Sequence, residues 1–246
     1  MPMSLELDHI YMLVHEPYQP AKVLKRAGFH VWDKRAQHAG AGTEATMVVF
    51  SGSYLELLFE SPNVHADALS EIGKQSRSER INWRQTGRSP FGIGCRRSFP
   101  DADLIMDPAR KMHWPWMPGD EVIEYFGAES ETFAPEVFVI PPAIRMASPE
   151  MLADLAEKES PYGADIRSSL SQRAGIHPIK GVHVTVTSER GLTPAMRMLN
   201  AQGIVTYEVG SAPLLNLRVA SLALPLDLRP HMPIVLEDAG PVTRMR

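Results

Sequence analysis

One order of elements, a strand, a helix and three strands, occurs twice in this chain. In the first copy an apolar strand, residues 5–14, precedes a helix that Pro20 opens and Gly28 ends. Proline suits the first turn of a helix, and glycine readily adopts the left-handed conformation that stops one. Three predicted strands follow, at residues 29–33, 45–50 and 54–59.

The second copy lies near the C-terminus and has almost the same spacing. Nineteen residues separate His9 from Gly28, and 20 separate His183 from Gly203, with Pro194 opening the second helix. A repeated unit of this size constrains the whole fold, because each copy needs a neighbour to cover its apolar face. The predicted strands of this copy are residues 181–187, 204–208, 217–224 and 232–237.

The segment between the two copies has a weaker pattern. Three strands are predicted here, at residues 90–95, 121–126 and 136–140. A helix is predicted from residue 148 to about residue 158, with Ser148 as its N-cap. No linker separates the parts, so we expect one packed body of class α+β, with βαβββ modules forming a cupped mixed sheet. The expected divisions are an N-terminal module (1–62), a degenerate middle module (63–147), a helical connection (148–178) and a C-terminal module (179–246).

Composition excludes several classes of protein. The chain has 246 residues with 25 Lys and Arg against 29 Asp and Glu, so no excess of positive charge is present to bind nucleic acid. One cysteine, Cys95, rules out an internal disulfide framework and indicates a reducing compartment. No apolar run is long enough to span a bilayer, so we expect a cytoplasmic protein without a membrane partner.

A histidine in the first strand and a glutamate in the last strand of each copy form the most informative pattern. These residues are His9, Glu56, His183 and Glu237. Imidazole and carboxylate ligands suit a divalent metal such as Zn, Ni, Fe(II) or Mn, with room left for water or substrate. The alternative is that each histidine is an ordinary hydrogen-bonded strand residue, which is the more frequent case for a single histidine.

Two further features are candidates for substrate binding. His38 and Thr43 bound a glycine-rich loop that could close over a substrate, although no helix follows it as in a phosphate-binding loop. Trp114 could line an aromatic pocket or cover a small core of the middle segment.

The sequence resembles a known family at residues 7–10 (LDHI), in the loop 38–43 (HAGAGT) and at residues 52–57 (GSYLEL). Together these segments are similar to the glyoxalase-like branch of the vicinal oxygen chelate superfamily, most closely over residues 5–60. The resemblance implies paired βαβββ modules in a cupped sheet around one divalent metal that chelates vicinal oxygens of a substrate. It places His9, Glu56, His183 and Glu237 on the ligand positions.

The middle segment departs from that family pattern. It offers Ile93 or Gly94 where a module would place its histidine, and Phe138 or Val139 near the place of its glutamate. A cup built from the first and middle modules would therefore have only two ligands. A cup built from the first and last modules would have all four.

The resemblance implies an enzyme that uses the metal as a Lewis acid on a small oxygen-chelating substrate. Glu56 or Glu237 would act as general base while Tyr11 or Tyr54 orients the substrate. Lyase, isomerase and dioxygenase reactions remain open, the last with His9, His183 and one glutamate as iron ligands. The alternative is a metal-free protein that binds or sequesters an aromatic or drug-like molecule. Under either interpretation the expected partners are a small molecule and a second copy of the chain in a homodimer.

Overall fold

The structure, a computed structural model, describes residues 5–99, 106–144, 149–157, 162–173, 177–222, 224–229 and 231–240. It is an α+β protein with two curled mixed sheets in the described part of the chain, as predicted. Ser148, the predicted helix N-cap, falls outside the described residues.

The N-terminal module has the predicted order of elements. It consists of β1 (Leu5–Leu13), α1 (Tyr18–Arg26), β2 (Ala36–His38), β3 (Thr43–Phe50) and β4 (Ser53–Glu60). Gly28 has φ +94°, which confirms the predicted glycine stop after α1. Helix α1 starts two residues before Pro20, which lies in its first turn.

The predicted strand at residues 29–33 is wrong. Phe29, Val31 and Trp32 are buried as the sequence suggests, but the second strand forms further on, at β2. The backbone N–H groups of Asp33 and Lys34 donate to the Asp165 carboxylate instead of to a neighbouring strand. Because the two carboxylate oxygens of Asp165 accept these hydrogen bonds in place of the backbone of a neighbouring strand, the segment is irregular.

The middle module supplies the second half of the same sheet. Two helices, α2 (Glu71–Ile81) and α3 (Trp83–Thr86), precede four strands. The strands are β5 (Phe91–Arg97), β6 (Arg110–Met112), β7 (Ile123–Phe126) and β8 (Glu136–Val139).

Strands β1 and β5 lie at the centre of an eight-stranded sheet and join the two modules. The strand order is β2-β3-β4-β1-β5-β8-β7-β6, with β1 antiparallel to β5. Each central strand is parallel to the last strand of its own module, β1 to β4 and β5 to β8. The cup is therefore built from the first and middle modules, and the arrangement that pairs the first with the last module is wrong.

A helical connection leads from this sheet to the C-terminal module. It contains a single 3₁₀ turn (Pro142–Ile144), α4 (Pro149–Glu157) and α5 (Gly163–Leu170). Helix α4 agrees with the predicted helix at 148–158, whereas α5 was not predicted from the sequence.

The C-terminal module repeats the order of elements but not the pairing of the first module. It contains β9 (Ile179–Val186), α6 (Pro194–Ala201), β10 (Val205–Val209), β11 (Leu214–Val219), β12 (Leu226–Asp227) and β13 (Ile234–Asp238). These strands form a separate sheet in the order β10-β9-β11-β13-β12.

The first and last modules therefore share the order of their helices and strands but not the pairing of their strands. Strand β10 lies beside β9 and parallel to it, whereas β2 of the first module lies at the sheet edge, away from β1. Since β10 and β11 occupy both sides of β9, the last strand β13 pairs with β11 and cannot pair with β9 as β4 does with β1.

One continuous core joins the two sheets. Ile10 and Ile93 of the first sheet belong to the same buried cluster as Val184, Leu215 and Leu236 of the second. Burial of this apolar surface is the main force that holds the modules together. In the described residues no helix is both long enough and apolar enough to cross a membrane.

Candidate active site in the cup

The other face of the eight-stranded sheet borders a cavity of about 650 Å³. Because successive side chains of a strand alternate, β1 directs Ile10 and Met12 to the core, and His9, Tyr11 and Leu13 to the cavity. The size and the mixture of aromatic and polar walls are typical of a small-molecule site.

Most of the candidate residues from the sequence border this cavity. The structure brings together His9, Tyr11, His38, Thr43, Tyr54, Glu56 and Trp114.

His183 and Glu237 do not join them, so the expectation that four ligands converge is corrected. His183 lies on β9 of the second sheet, where its Nδ1 is 2.9 Å from Thr206 Oγ1 and its Nε2 is 3.6 Å from Glu208 Oε1. Glu237 lies on β13 of the same sheet and is exposed. The physical reason is that β5–β8, not β9–β13, complete the sheet that holds His9 and Glu56.

His9 is fixed by a local irregularity of β1. The pairing of β1 with β5 shifts between Leu7 and His9, so Asp8 is the extra residue of a β-bulge. The bulge lets the fully buried Asp8 carboxylate approach the neighbouring imidazole, with Oδ1 2.9 Å from His9 Nδ1. Arg96 Nη1 is 3.4 Å from the other oxygen of Asp8. A carboxylate on Nδ1 orients a histidine and leaves Nε2 for proton exchange.

Aromatic rings and a glycine complete the surroundings of His9. Its ring stacks on Tyr54 with centroids 4.5 Å apart, and Phe138 lies 5.2 Å away on β8. Gly94 pairs with His9 across the central strands, and a Cβ there would stand 2.6 Å from His9 Cε1. A side chain at position 94 and the observed histidine position are therefore incompatible.

Glu56 lies on β4 with its carboxylate almost completely buried beside the cavity. Its Oε1 is 4.0 Å from Nε2 of His38, whose Nδ1 is in turn 3.2 Å from Thr43 Oγ1. Burial lowers the pKa of His38 and outweighs the opposite effect of the nearby Glu56 carboxylate. The Glu56 carboxylate therefore lies beside a neutral His38 and has few polar neighbours. Such an environment suits a general base.

Two tyrosines provide hydroxyl groups at the cavity wall. Tyr11 donates a hydrogen bond of 2.8 Å to Glu136 Oε2. Burial raises the pKa of Tyr11 and of Tyr54, so both phenols remain protonated hydrogen-bond donors at neutral pH.

The glycine-rich loop forms part of the cavity wall and is packed against the middle module. Gly40 and Gly42 have positive φ values of +78° and +70°, and Ala41 borders the cavity. A Cβ at Gly42 would lie 2.5 Å from Ala66, so the loop fits closely against the chain that follows β4. The sequence suggested a loop that could close over a substrate, and in the structure its residues 40–43 are buried as part of the cavity wall.

Sequence reasoning missed the charged residues that the middle module contributes. Arg77 and Arg80 come from α2, while Arg110 and Glu136 come from the edge half of the sheet, and all border the cavity. The available signals were the spacing of Arg77 and Arg80 at i and i+3 and the Ser70 N-cap, which accepts a hydrogen bond from Gly73 N.

The donor set does not fit the four-ligand metal centre that the family resemblance implies. His9 and Glu56 are present, but the middle module presents Gly94 and Phe138 beside them, and neither has a ligating side-chain atom. Among the described residues, no three His, Cys, Asp or Glu side chains form a group suited to a metal ion. We therefore derive no reaction step through a metal.

Comparisons with known proteins agree with this architecture. Residues 7–103, which span the first module and β5, match the family model described as a glyoxalase-like domain. A hypothetical protein from Staphylococcus aureus is 13% identical, with 96% of this chain and 99% of that chain covered and a TM-score of 0.50. This likeness shows a shared fold. No protein with curated annotation matches the sequence.

Two enzymes of known structure align more loosely. A methylmalonyl-CoA epimerase from Streptomyces coelicolor is 13% identical over 56% of this chain and 96% of its own, with a TM-score of 0.33. A variant of 4-hydroxymandelate synthase from the same organism is 13% identical over 96% of this chain and 63% of its own, with a TM-score of 0.38. The family model confirms, over residues 7–103, the glyoxalase-like resemblance predicted from the sequence.

Proposed function

We propose that this protein is an isomerase or lyase that moves a proton on a small oxygen-bearing substrate inside the cup, without a resident metal. The observation that carries the proposal is the pairing of His9 with the buried Asp8, next to a second acid–base group, Glu56, at the same cavity. Paired groups of this kind are the usual means of general acid–base catalysis.

The two groups have different roles in this proposal. Glu56 removes a proton from carbon next to a carbonyl group, because its carboxylate is buried and has few competing hydrogen-bond donors. His9 Nε2 and the Tyr54 hydroxyl stabilise the oxygen on which negative charge develops. Asp8 is a positioning residue that fixes the imidazole through Nδ1.

Deuterium incorporation from heavy water tests this proposal with α-hydroxycarbonyl and α-ketoacid compounds as probes. We expect NMR to show exchange at the carbon next to the carbonyl for at least one probe. Glu56→Gln and His9→Gln should each reduce the exchange rate about 100-fold or more. Glu237→Gln and His183→Gln are matched controls on the second sheet and should retain the wild-type rate. No exchange by the wild-type protein, or equal losses in the controls, would contradict the proposal.

A second candidate is a protein that binds and sequesters an aromatic molecule. The observation that favours it is the aromatic wall of Tyr54, Tyr125, Trp114, Trp116 and Phe138 around the cavity. This candidate predicts a stoichiometric complex with an aromatic compound and no proton exchange in any probe.

A further inference from the structure

Three arginines border the cavity, and the terminal guanidinium nitrogens of two of them are bound by protein groups. Arg80 donates to the backbone carbonyls of Ser89, Glu131 and Ala134. Arg110 forms ion pairs with Glu129 at 3.0 Å and Glu136 at 2.8 Å. The terminal nitrogens of these two guanidinium groups hold the wall of the cup together, and the buried Nε of Arg110 lacks a hydrogen-bond partner among the described residues.

Arg77 differs from both. It lies on α2 one turn before Arg80, and its Nη1 donates to the carbonyl oxygen of Ala41 in the glycine-rich loop. Within the described part of the chain, no carboxylate lies within ion-pair distance of this guanidinium. A partly buried arginine without a counter-ion is costly, and an anionic ligand would remove that cost.

The carboxylates of the cavity do not neutralise Arg77. Glu129 and Glu136 are both engaged by Arg110, and Glu136 also accepts the Tyr11 hydroxyl. Glu60 and Glu136 influence Arg77 electrostatically, but burial outweighs them and lowers the pKa of the guanidinium. The guanidinium of Arg77 therefore borders the cavity without a carboxylate bound to it in the described part of the chain.

Arg77 also lies within electrostatic reach of the proposed catalytic groups. Arg77, His38 and Glu56 border the same cavity, and the charges of Arg77 and Glu56 shift the pKa of His38 in opposite directions. Aromatic and apolar walls, including Trp114 and Phe138, border the remaining space.

We propose that Arg77 binds the carboxylate of the substrate, and that the substrates are monocarboxylates with an aromatic or apolar body. The planar fork of a guanidinium matches a carboxylate with two parallel hydrogen bonds. Because Arg80 and Arg110 are engaged by protein groups, the single guanidinium of Arg77 suits the single charge of a carboxylate better than the higher charge of a phosphate. This inference deepens the proposed function, because it rests on Glu56 and His9 acting at the other end of the same molecule.

Binding calorimetry with matched probes tests the proposal. The probes are phenylpyruvate, which has an exchangeable CH2 group next to its ketone, and 3-phenylpropionate, each compared with its uncharged primary amide. We expect the wild-type protein to bind at least one acid about 10-fold or more tightly than its amide. Arg77→Met should abolish this preference and leave amide binding unchanged, whereas Arg77→Lys should retain part of it. Lys74→Met is the control, since Lys74 is on the same helix but pairs with Glu71 at the surface.

Binding of neither acid by the wild-type protein, or equal binding of acids and amides, would overturn the proposal. An equal loss of acid and amide binding in Arg77→Met would also overturn it, because it would indicate a merely structural role. Failure of this inference can be distinguished from failure of the proposed function. If the protein prefers acids to amides but catalyses no deuterium exchange, carboxylate binding by Arg77 is supported and the proposed catalytic function is contradicted. If Arg77→Met exchanges deuterium into every acid at the wild-type rate, only the role of Arg77 is contradicted.

Discussion

Asp8 and His9 are adjacent in the chain, yet their side chains meet, with Oδ1 and Nδ1 2.9 Å apart. Neighbours on a regular strand point to opposite faces, so this contact depends on the bulge that Asp8 forms between β1 and β5. The bulge thus converts an ordinary strand histidine into one that a buried carboxylate orients.

Replacement of Asp8 by alanine should destabilise the protein considerably. The carboxylate is fully buried and contacts both His9 and Arg96, so its removal leaves the buried His9 without this partner and takes one acceptor from the half-buried Arg96, which keeps Glu6 and the Gly52 carbonyl. We expect the free energy of unfolding to fall by about 3 kcal/mol in urea denaturation. Asp33→Ala is the control, because Asp33 pairs with Lys25 at the surface and should change stability by less than about 0.5 kcal/mol. Equal effects of the two substitutions on the free energy of unfolding would show that the Asp8 contacts stabilise the protein no more than a surface ion pair does.

Gly94→Ala should disturb the site through the His9 ring. The new Cβ would stand 2.6 Å from His9 Cε1 and 2.9 Å from the Phe138 ring, closer than van der Waals contact allows. We expect a loss of about 1–3 kcal/mol in the free energy of unfolding, measured by urea denaturation. Gly73→Ala in α2 meets only ordinary contacts, and alanine favours a helix, so this control should be neutral or stabilising. A Gly94→Ala protein as stable as wild type would contradict the packing described for His9.

His38 should make the stability of the protein depend on pH. Burial lowers the pKa of His38 in the folded state, so below the unfolded pKa of about 6.5 the unfolded chain binds a proton that the folded protein excludes. The contribution of neutral His38 is therefore present above about pH 6.5 and is lost as the pH falls towards the folded pKa. His38→Gln removes this titration.

Unfolding free energies of wild type and His38→Gln, measured in urea between pH 8 and pH 5, check this prediction. Wild type should lose more stability than the variant as the pH decreases, because the other titrating groups are common to both proteins. Parallel pH profiles would contradict a lowered pKa of His38.

The first module shows what could be predicted from sequence alone. The alternation of side chains along a strand is enough to place His9, Tyr11 and Leu13 on one face, as the structure has them, because strand periodicity is a local property. Gly28 and Gly203 were recognised as helix stops, and both have positive φ. The position of Asp8 was not predictable, since a bulge depends on the register of a strand almost 90 residues away.

Pairing between distant elements explains the main errors. The last module has the same order of elements as the first, but order does not determine whether the second strand lies beside the first strand or at the edge. The assignment of His183 and Glu237 to the site depended on that pairing. The cavity arginines were missed for a different reason, because α2 has a weak amphipathic pattern and was not recognised as a helix.

The measurement that tests the account most directly is the metal content of the purified protein after incubation with Zn, Ni, Fe(II) or Mn and removal of unbound ions. Because Gly94 and Phe138 stand where further ligands would be required, we predict no stoichiometric metal in the wild-type protein, His9→Ala or His183→Ala. About one equivalent in the wild-type protein that is lost in His9→Ala would contradict the account, since it would place a metal in the cup and replace the proposed acid–base mechanism with Lewis-acid chemistry.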